Sequence, residues 1–176
     1  VKGKRAVEWR LVDAVFPTSQ FRDRVAKRAG ELAAGSDRPV RGPGIALGPI
    51  AKRIEPGRWQ YSSVRVDFDR QKRVADLTIA GPDAPEPADP EGILAAGDQF
   101  WPLRAFRELD DALLRLRMNE PLIGTVVLRT TGNADRVLSI DRTLLEHREH
   151  WLVREIVHFI KRTLKRLDLT ARSFFA

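Results

Sequence analysis

A stretch dense in proline and glycine divides this sequence into two parts with different hydrophobic periods. Between residues 39 and 58 the chain contains four prolines and four glycines: Pro39, Gly42, Pro43, Gly44, Gly48, Pro49, Pro56 and Gly57. Such a cluster interrupts regular structure, because proline lacks a backbone N–H and glycine is conformationally permissive. The composition therefore predicts a linker over residues 38–60, with a domain boundary inside it.

The part before the linker has the period of a helix. Ser19 is a helix-capping residue type, and Gly35 predicts the helix end. Between them apolar side chains recur at intervals of three and four residues: Phe21, Val25, Ala29, Leu32 and Ala33. The chain begins with Val1 rather than methionine, inside a segment with helical character, and ends on an apolar run at 174–176. We therefore expect a piece of a longer protein.

The part after the linker begins with the alternating period of β-strands. Residues 64–68 and 75–79 alternate apolar with polar side chains across a polar turn, which predicts an antiparallel hairpin. A helical period follows over 101–118, a β-branched run over 125–130 predicts a buried strand, and a second helical period covers 148–167. The order strand, strand, helix, strand, helix predicts an α/β fold.

Charge and composition exclude several classes of protein. The chain carries 31 Lys and Arg against 24 Asp and Glu, a net charge of +7, but basic residues alternate with acidic ones at helical spacing. Aromatic residues do not alternate with the basic ones, so we expect no nucleic-acid partner. The absence of cysteine excludes disulfides, thiolate metal ligands and cysteine nucleophiles. No apolar run approaches the roughly 20 residues of a membrane-spanning helix, so we expect a cytoplasmic protein with no membrane partner.

Few residues have the spacing of a catalytic or metal site. His147 and His150 form an i, i+3 pair beside Glu146 and Glu149, but no third ligand is visible, so we expect a solvated helix start and no metal.

Two other pairs have ordinary structural interpretations. Asp110 and Asp111 are adjacent on a predicted helix and point about 100° apart, so we do not expect them to share a proton. Trp101 and Trp151 are candidates for the core or for an interface, and we expect the core.

Two strings after the linker resemble the opening of the crotonase (enoyl-CoA hydratase/isomerase) fold. In that fold a hairpin precedes a helix, and the next strand ends at a loop whose backbone N–H helps to hold a thioester carbonyl oxygen. Residues 106–113, Phe-Arg-Glu-Leu-Asp-Asp-Ala-Leu, are similar to that helix, and residues 125–132, Thr-Val-Val-Leu-Arg-Thr-Thr-Gly, are similar to that strand. Residues 5–17 and the helix after them resemble the C-terminal end of a crotonase unit.

The order of these strings resembles a junction in a tandem crotonase chain. The resemblance implies a partial ClpP/crotonase fold of the α/β class, in which residues 1–37 are the C-terminal helical end of a first unit. Residues 38–60 are then the linker, and residues 61–176 are the N-terminal part of a second, degenerate unit. With the strings at 9–13 and 150–155, the similarity extends over essentially the whole chain to tandem crotonase lyases of aromatic CoA thioesters.

This resemblance implies an enzyme of aerobic benzoate breakdown. Such a lyase adds water to a 2,3-dihydroxylated or 2,3-epoxidised benzoyl-CoA, opens the ring, and leaves formate and an aliphatic CoA semialdehyde. It implies no separate cofactor, because coenzyme A is part of the substrate, and it implies a homo-oligomer for the full-length protein. Arg41, Lys52 and Arg53 are candidates for contact with the phosphates of coenzyme A, although the substrate-binding residues stay undetermined.

The segment itself is expected to lack a complete active site. Residues 136–141, Arg-Val-Leu-Ser-Ile-Asp, occupy the place of the family's small-residue thioester loop, and their bulk would keep a thioester from the backbone. We therefore predict no catalytic residue within 1–176. Two alternatives stay open: a non-catalytic crotonase-like interaction module, and a general enoyl-CoA hydratase/isomerase-like protein.

Overall fold

The computed structural model describes residues 1–38 and 42–176, which divide into two compact units, Val1–Pro43 and Gly44–Ala176. The first unit contains α1 (Lys4–Glu8) and α2 (Thr18–Ala34), as the helical period predicts for the longer helix. None of the residues in these two helices is buried. The start of the predicted linker, residues 39–41, lies outside the described residues.

The second unit contains a six-stranded mixed sheet in the order β1-β2-β3-β4-β5-β6. The strands are β1 (Arg53–Ile54), β2 (Arg58–Gln60), β3 (Val64–Asp69), β4 (Val74–Ala80), β5 (Thr125–Thr131) and β6 (Ser173–Phe175). The first four strands pair antiparallel with their neighbours, β5 pairs parallel with β4, and β6 pairs parallel with β5. The predicted hairpin is confirmed as β3 and β4. The strand predicted at 125–130 is confirmed as β5, but the expectation that it is buried is wrong, because only Val126 is buried and residues 129–131 are exposed.

Helices fill the connections after β4. They are α3 (Pro90–Ala96), a 3-10 turn at Gly97–Gln99, α4 (Trp101–Asn119), α5 (Ala134–Glu146) and α6 (Trp151–Asp168). The predicted helices at 101–118 and 148–167 are confirmed as α4 and α6. Parallel strands cannot be joined by a tight turn, and the connection from β4 to β5 accordingly contains α3 and α4.

The last part of the predicted linker is a hairpin, and this corrects the expectation for residues 53–60. Pro56 and Gly57 are the two middle residues of a tight turn, in which the Glu55 N–H donates to the Arg58 carbonyl oxygen at 2.9 Å. Proline suits the second position of a β-turn, where its fixed φ is already correct. Proline and glycine, the residue types that predict a linker, thus form the turn that joins β1 to β2.

Two groups of buried side chains form the core of the second unit. The first lies between α4 and the sheet: Trp59, Tyr61, Val64, Val66, Ala75, Leu77, Leu109, Ala112, Leu113, Leu116, Ile123 and Val126. The second joins α3, α4, α5 and α6: Ile93, Phe100, Trp101, Leu103, Ala105, Ile140, Leu144, Leu152, Val153 and Ile156. Trp101 is a core residue as predicted, whereas Trp151 is only half-buried.

Two arginine side chains donate to backbone carbonyl oxygens at the end of α4 and just before β5. The Arg172 guanidinium donates to the carbonyl oxygens of Leu116 and Glu120, each at 2.6 Å, and so satisfies groups that the end of a helix leaves unpaired. The Arg73 side chain donates to the Leu122 carbonyl oxygen at 2.7 Å, and the Arg73 carbonyl oxygen accepts the Gly124 N–H at 3.0 Å. These contacts fix the position of the segment between the end of α4 and the start of β5.

No helix in the described ranges has both the length and the apolar character to cross a membrane.

We predict that Leu77→Ala lowers the free energy of unfolding by about 3 kcal/mol, because Leu77 is fully buried and its truncation leaves a cavity. Leu122→Ala is the matched control: Leu122 is 71% exposed, and its loss is expected to cost less than about 0.5 kcal/mol. Urea unfolding followed by circular dichroism measures both values. Equal effects for the two variants would contradict the assignment of the core.

Candidate functional site

The parallel strands end at an open cleft. It has a volume of about 360 Å³ and is lined by Ile79, Gly81, Trp101, Thr130, Thr131, Gly132, Asn133, Ala134, Val137 and Leu138. The carboxyl ends of parallel strands are where α/β sheets usually bind ligands. This cleft is therefore the first place to examine for chemistry.

Two glycines make the floor of the cleft unusually close-packed. The Gly81 N–H donates to the Thr131 carbonyl oxygen at 2.8 Å, and Gly132 has a φ of +105°. A Cβ atom on Gly132 would lie 3.1 Å from the Gly81 nitrogen and 3.2 Å from its Cα atom. Glycine is required at position 132 for both its backbone conformation and its lack of a side chain.

The backbone amides next to the cleft are already used by a helix. The Asn133 side chain accepts the N–H groups of Asp135, at 2.8 Å, and Arg136, at 3.3 Å, and so caps α5. Residues 136–141 lie inside α5, not in the loop that the resemblance leads one to expect, and amides inside a helix donate to the preceding turn. Backbone binding of a thioester oxygen at 138–141 is thus prevented by helix formation as well as by side-chain bulk.

A second opening lies between α4, α6 and an irregular strap, residues 44–52. The groove has a volume of about 490 Å³, and its apolar lining comprises Ile45, Leu47, Ile50, Leu103, Leu114, Trp151, Leu152, Ile156 and Phe159. Arg107, Asp110, Asp111, Glu155 and Arg162 complete its lining.

Asp111 is the centre of a charged cluster at one end of this groove. Its carboxylate accepts hydrogen bonds from Lys52 Nζ at 2.8 Å, from the Tyr61 hydroxyl at 2.7 Å and from Arg115 Nε at 2.8 Å. Burial alone would raise the pKa of Asp111, but the hydrogen bonds from Lys52, Tyr61 and Arg115 outweigh it and lower that pKa below its usual value. Burial and the bond to Asp111 raise the pKa of Tyr61 far above its ordinary range. Asp111 is thus held ionised and Tyr61 protonated.

The structure separates the residues that the sequence placed side by side. Asp110 binds Arg166 of α6, whereas Asp111 binds the cluster just described, so the two carboxylates have no common proton. His147 Nε2 lies 3.1 Å from the Ala88 carbonyl oxygen. Across residues 1–38 and 42–176, no three His, Asp or Glu side chains are grouped as metal ligands would be.

The two described candidates for phosphate contact have different acidic partners. Lys52 is engaged by Asp111, and Arg53 forms an ion pair with Glu55 at 2.6 Å. Arg41 lies outside the described residues.

Two carboxylates bind distant backbone N–H groups, and the sequence carries no distinct pattern that predicts these contacts. Glu108 is only 4% exposed and accepts hydrogen bonds from the Ser62 hydroxyl and from the Ser63 N–H, the latter at 2.7 Å. Asp98 accepts the Gly48 N–H at 2.6 Å, which together with a hydrogen bond from Gln99 lowers the pKa of Asp98. An acidic residue next to the apolar stripe of α4, as Glu108 is, was the one available hint.

A curated relative matches this α/β chain from end to end. The benzoyl-CoA-dihydrodiol lyase of Aromatoleum evansii is 40% identical over 176 residues, which is 100% of this chain and 32% of that protein. The chain is thus homologous to a segment of a lyase, spanning about a third of its length, and the resemblance to a lyase of aromatic CoA thioesters is confirmed at this level. No family profile matches the chain.

We predict that Asp111→Asn lowers the free energy of unfolding by about 2 kcal/mol at pH 7, because three donors lose a charged acceptor. The pKa of Asp111 is lowered in the folded state, so its contribution is present above the ordinary value of 3.8 and is lost as the pH falls below it. The difference between wild type and variant should therefore shrink on acidification, as measured by urea unfolding from pH 7 to pH 3. Asp83→Asn, at an exposed loop position, is the control and should show no such convergence.

Proposed function

We propose that this chain acts as a segment of a lyase for CoA thioesters derived from benzoate. The observation that carries the proposal is the 40% identity to benzoyl-CoA-dihydrodiol lyase over all 176 residues. Because the alignment covers the whole chain and not only a short part of it, it supports common ancestry of the entire segment. The mixed sheet with helices on the β4–β5 connection is compatible with the resemblance to the crotonase fold.

The finer arrangement is part of the same proposal. Residues 1–37 would end a first crotonase-like unit, residues 38–60 would link the units, and residues 61–176 would open a second one. Support comes from the hairpin β3–β4, the helix α4 and the parallel strand β5, which follow in the order of that fold's opening.

In the proposed reaction, water opens the ring of a 2,3-dihydroxylated or 2,3-epoxidised benzoyl-CoA to give formate and an aliphatic CoA semialdehyde. The full-length enzyme would be a cytoplasmic homo-oligomer of aerobic benzoate degradation. Coenzyme A would enter as part of the substrate, with no separate cofactor.

Within that enzyme the segment would be a scaffold rather than the catalytic centre. The Asn133 cap uses the amides at the start of α5, which otherwise could stabilise a thioester oxygen. Glu146 and Glu149 are exposed and lie outside the cleft at the strand ends. The proton-transfer groups would then be supplied by the rest of the lyase.

We predict that purified 1–176 turns over neither benzoyl-CoA dihydrodiol nor benzoyl-CoA epoxide, as measured by release of formate. Turnover that Glu146→Gln or Glu149→Gln abolishes would place catalysis in this segment and contradict the scaffold role.

A chimera tests the family assignment separately. The matching third of the Aromatoleum evansii lyase is replaced by these 176 residues, and formate release is measured with the benzoyl-CoA dihydrodiol. We expect activity within about tenfold of the parent, since 40% identity preserves the interfaces of a scaffold. A matched chimera with Leu77→Asp should lose activity through misfolding, because Leu77 is fully buried. A folded but inactive chimera would refute the proposed function.

A further inference from the structure

The strap, residues 44–52, is attached to the second unit almost entirely through side chains. It contains no helix or strand, and within the described part of the chain no backbone-to-backbone hydrogen bond joins it to a neighbour. Segments held in this way open at lower free energy than strands whose backbone is paired. The nature of its few attachments therefore decides its behaviour.

One attachment is a latch at Gly48. The Gly48 N–H donates to Asp98 Oδ2 at 2.6 Å, and the Gly48 carbonyl oxygen accepts from Arg107 Nη2 at 2.6 Å. Asp98 and Arg107 also bind each other at 3.1 Å, and their side chains are only 16% and 17% exposed. Gly48 thus contacts both members of an intact ion pair through its backbone.

The latch can release Gly48 without leaving a charge unpaired. Asp98 retains Arg107 and also accepts a hydrogen bond from Gln99 at 3.0 Å. Breaking a buried ion pair is costly because it leaves an uncompensated charge, but release of Gly48 breaks none. The Gly48 amide and carbonyl become accessible to water at the same time.

The second attachment, between Lys52 and Asp111, is equally easy to replace. Asp111 keeps the Tyr61 hydroxyl and Arg115 when Lys52 leaves, and a free lysine is readily solvated. Apolar burial holds the strap only in part, because Ile45 and Ile50 are half-buried against the two core groups and Leu47 is 59% exposed. The side chains that hold the strap, Asp98, Arg107 and Asp111, therefore keep other hydrogen-bond partners when the strap leaves.

We propose that the strap is a cover that opens as one piece from the groove between α4 and α6, with the Gly48 latch as its catch. Opening uncovers the apolar wall formed by Leu103, Ile156 and Phe159 while the sheet stays intact. It also frees nine residues ahead of β1, a tether of up to about 30 Å when extended. This inference does not depend on the proposed catalytic role.

Hydrogen exchange with mass spectrometry on the 176-residue chain tests the proposal. In wild type, the Gly48 amide, which is hydrogen-bonded to Asp98, should exchange through an opening that is insensitive to low urea, whereas amides of β3 and β4 should follow global unfolding. Asp98→Ala should speed exchange in the strap about tenfold, the least that loss of a hydrogen bond to a charged group represents, and should leave β3 and β4 within about twofold. Asp110→Ala is the control, because Asp110 binds Arg166 and does not contact the strap.

Either of two results would overturn the proposal. The strap of the wild type could exchange only with the sheet, or Asp98→Ala and Asp110→Ala could speed the strap equally. A second measurement does not depend on the folding of Asp98→Ala. The chain has no cysteine, so Ile50→Cys provides a single, half-buried thiol within the strap, and its labelling should be limited by strap opening and not by global unfolding. Labelling at the global unfolding rate would contradict the proposal.

Discussion

Helix α4 organises the second unit because four charged residues near its middle hold three neighbouring segments: the strap, the turn between β2 and β3, and α6. Arg107 binds the strap, Glu108 binds the turn between β2 and β3, Asp110 binds α6, and Asp111 binds Lys52 and Tyr61. None of the four is freely solvated, and removing such groups from water is costly unless each has a partner. One residue rotates a helix by about 100°, so a shift of α4 by one position would break all four contacts together. The apolar stripe of α4 sets its distance from the sheet, and these charges set its register.

The excess of arginine has a structural use in this fold. Of the 31 basic residues only seven are lysines, and several guanidinium groups donate to backbone carbonyl oxygens at the ends of elements. Arg172 contacts three carbonyl oxygens at once, from Leu116, Glu120 and Ile123. A lysine ammonium cannot reproduce this planar, multiply donating geometry. These guanidinium groups therefore act as hydrogen-bond donors that stabilise the ends of helices and strands.

Sequence periodicity predicted the elements whose apolar spacing is long or strict, namely α2, the hairpin β3–β4, α4, β5 and α6. It missed the elements whose formation depends on a tertiary partner. Strand β6 pairs with only three residues of β5, and β1 pairs with two residues of β2, so neither has enough residues to show a period. Helix α5 did have local signals, in the capping residue Asn133 and the spacing of Ile140 and Leu144, but the resemblance directed attention to a loop.

The site was harder to anticipate than the fold, for a physical reason. Residues 107–112 appeared in the sequence as part of a family-like string, but no pattern reveals which distant backbone atoms they bind. Lys52 lies 59 positions from Asp111, and Ser63 lies 45 positions from Glu108. Such pairs become visible only when the crossing of α4 over the sheet is known. The resemblance of residues 106–113 to a family motif can be recognised locally, whereas the hydrogen-bond partners of these side chains depend on how α4 packs against the sheet.

The strand-end cleft illustrates a competition between stability and ligand binding. The first N–H groups of a helix can be satisfied by a side-chain cap or by a bound oxyanion, but the same N–H cannot serve both well. Here Asn133 takes two of them, and burial of Ile140 and Leu144 stabilises the helix that follows. The close contact of Gly81 and Gly132 still brings the ends of β4 and β5 together, so the frame of a binding site persists although the Asn133 side chain occupies two of its N–H donors. Gly81 and Gly132 thus set the spacing of the two strand ends through packing, because a Cβ atom at position 132 would lie only 3.1 Å from the Gly81 nitrogen.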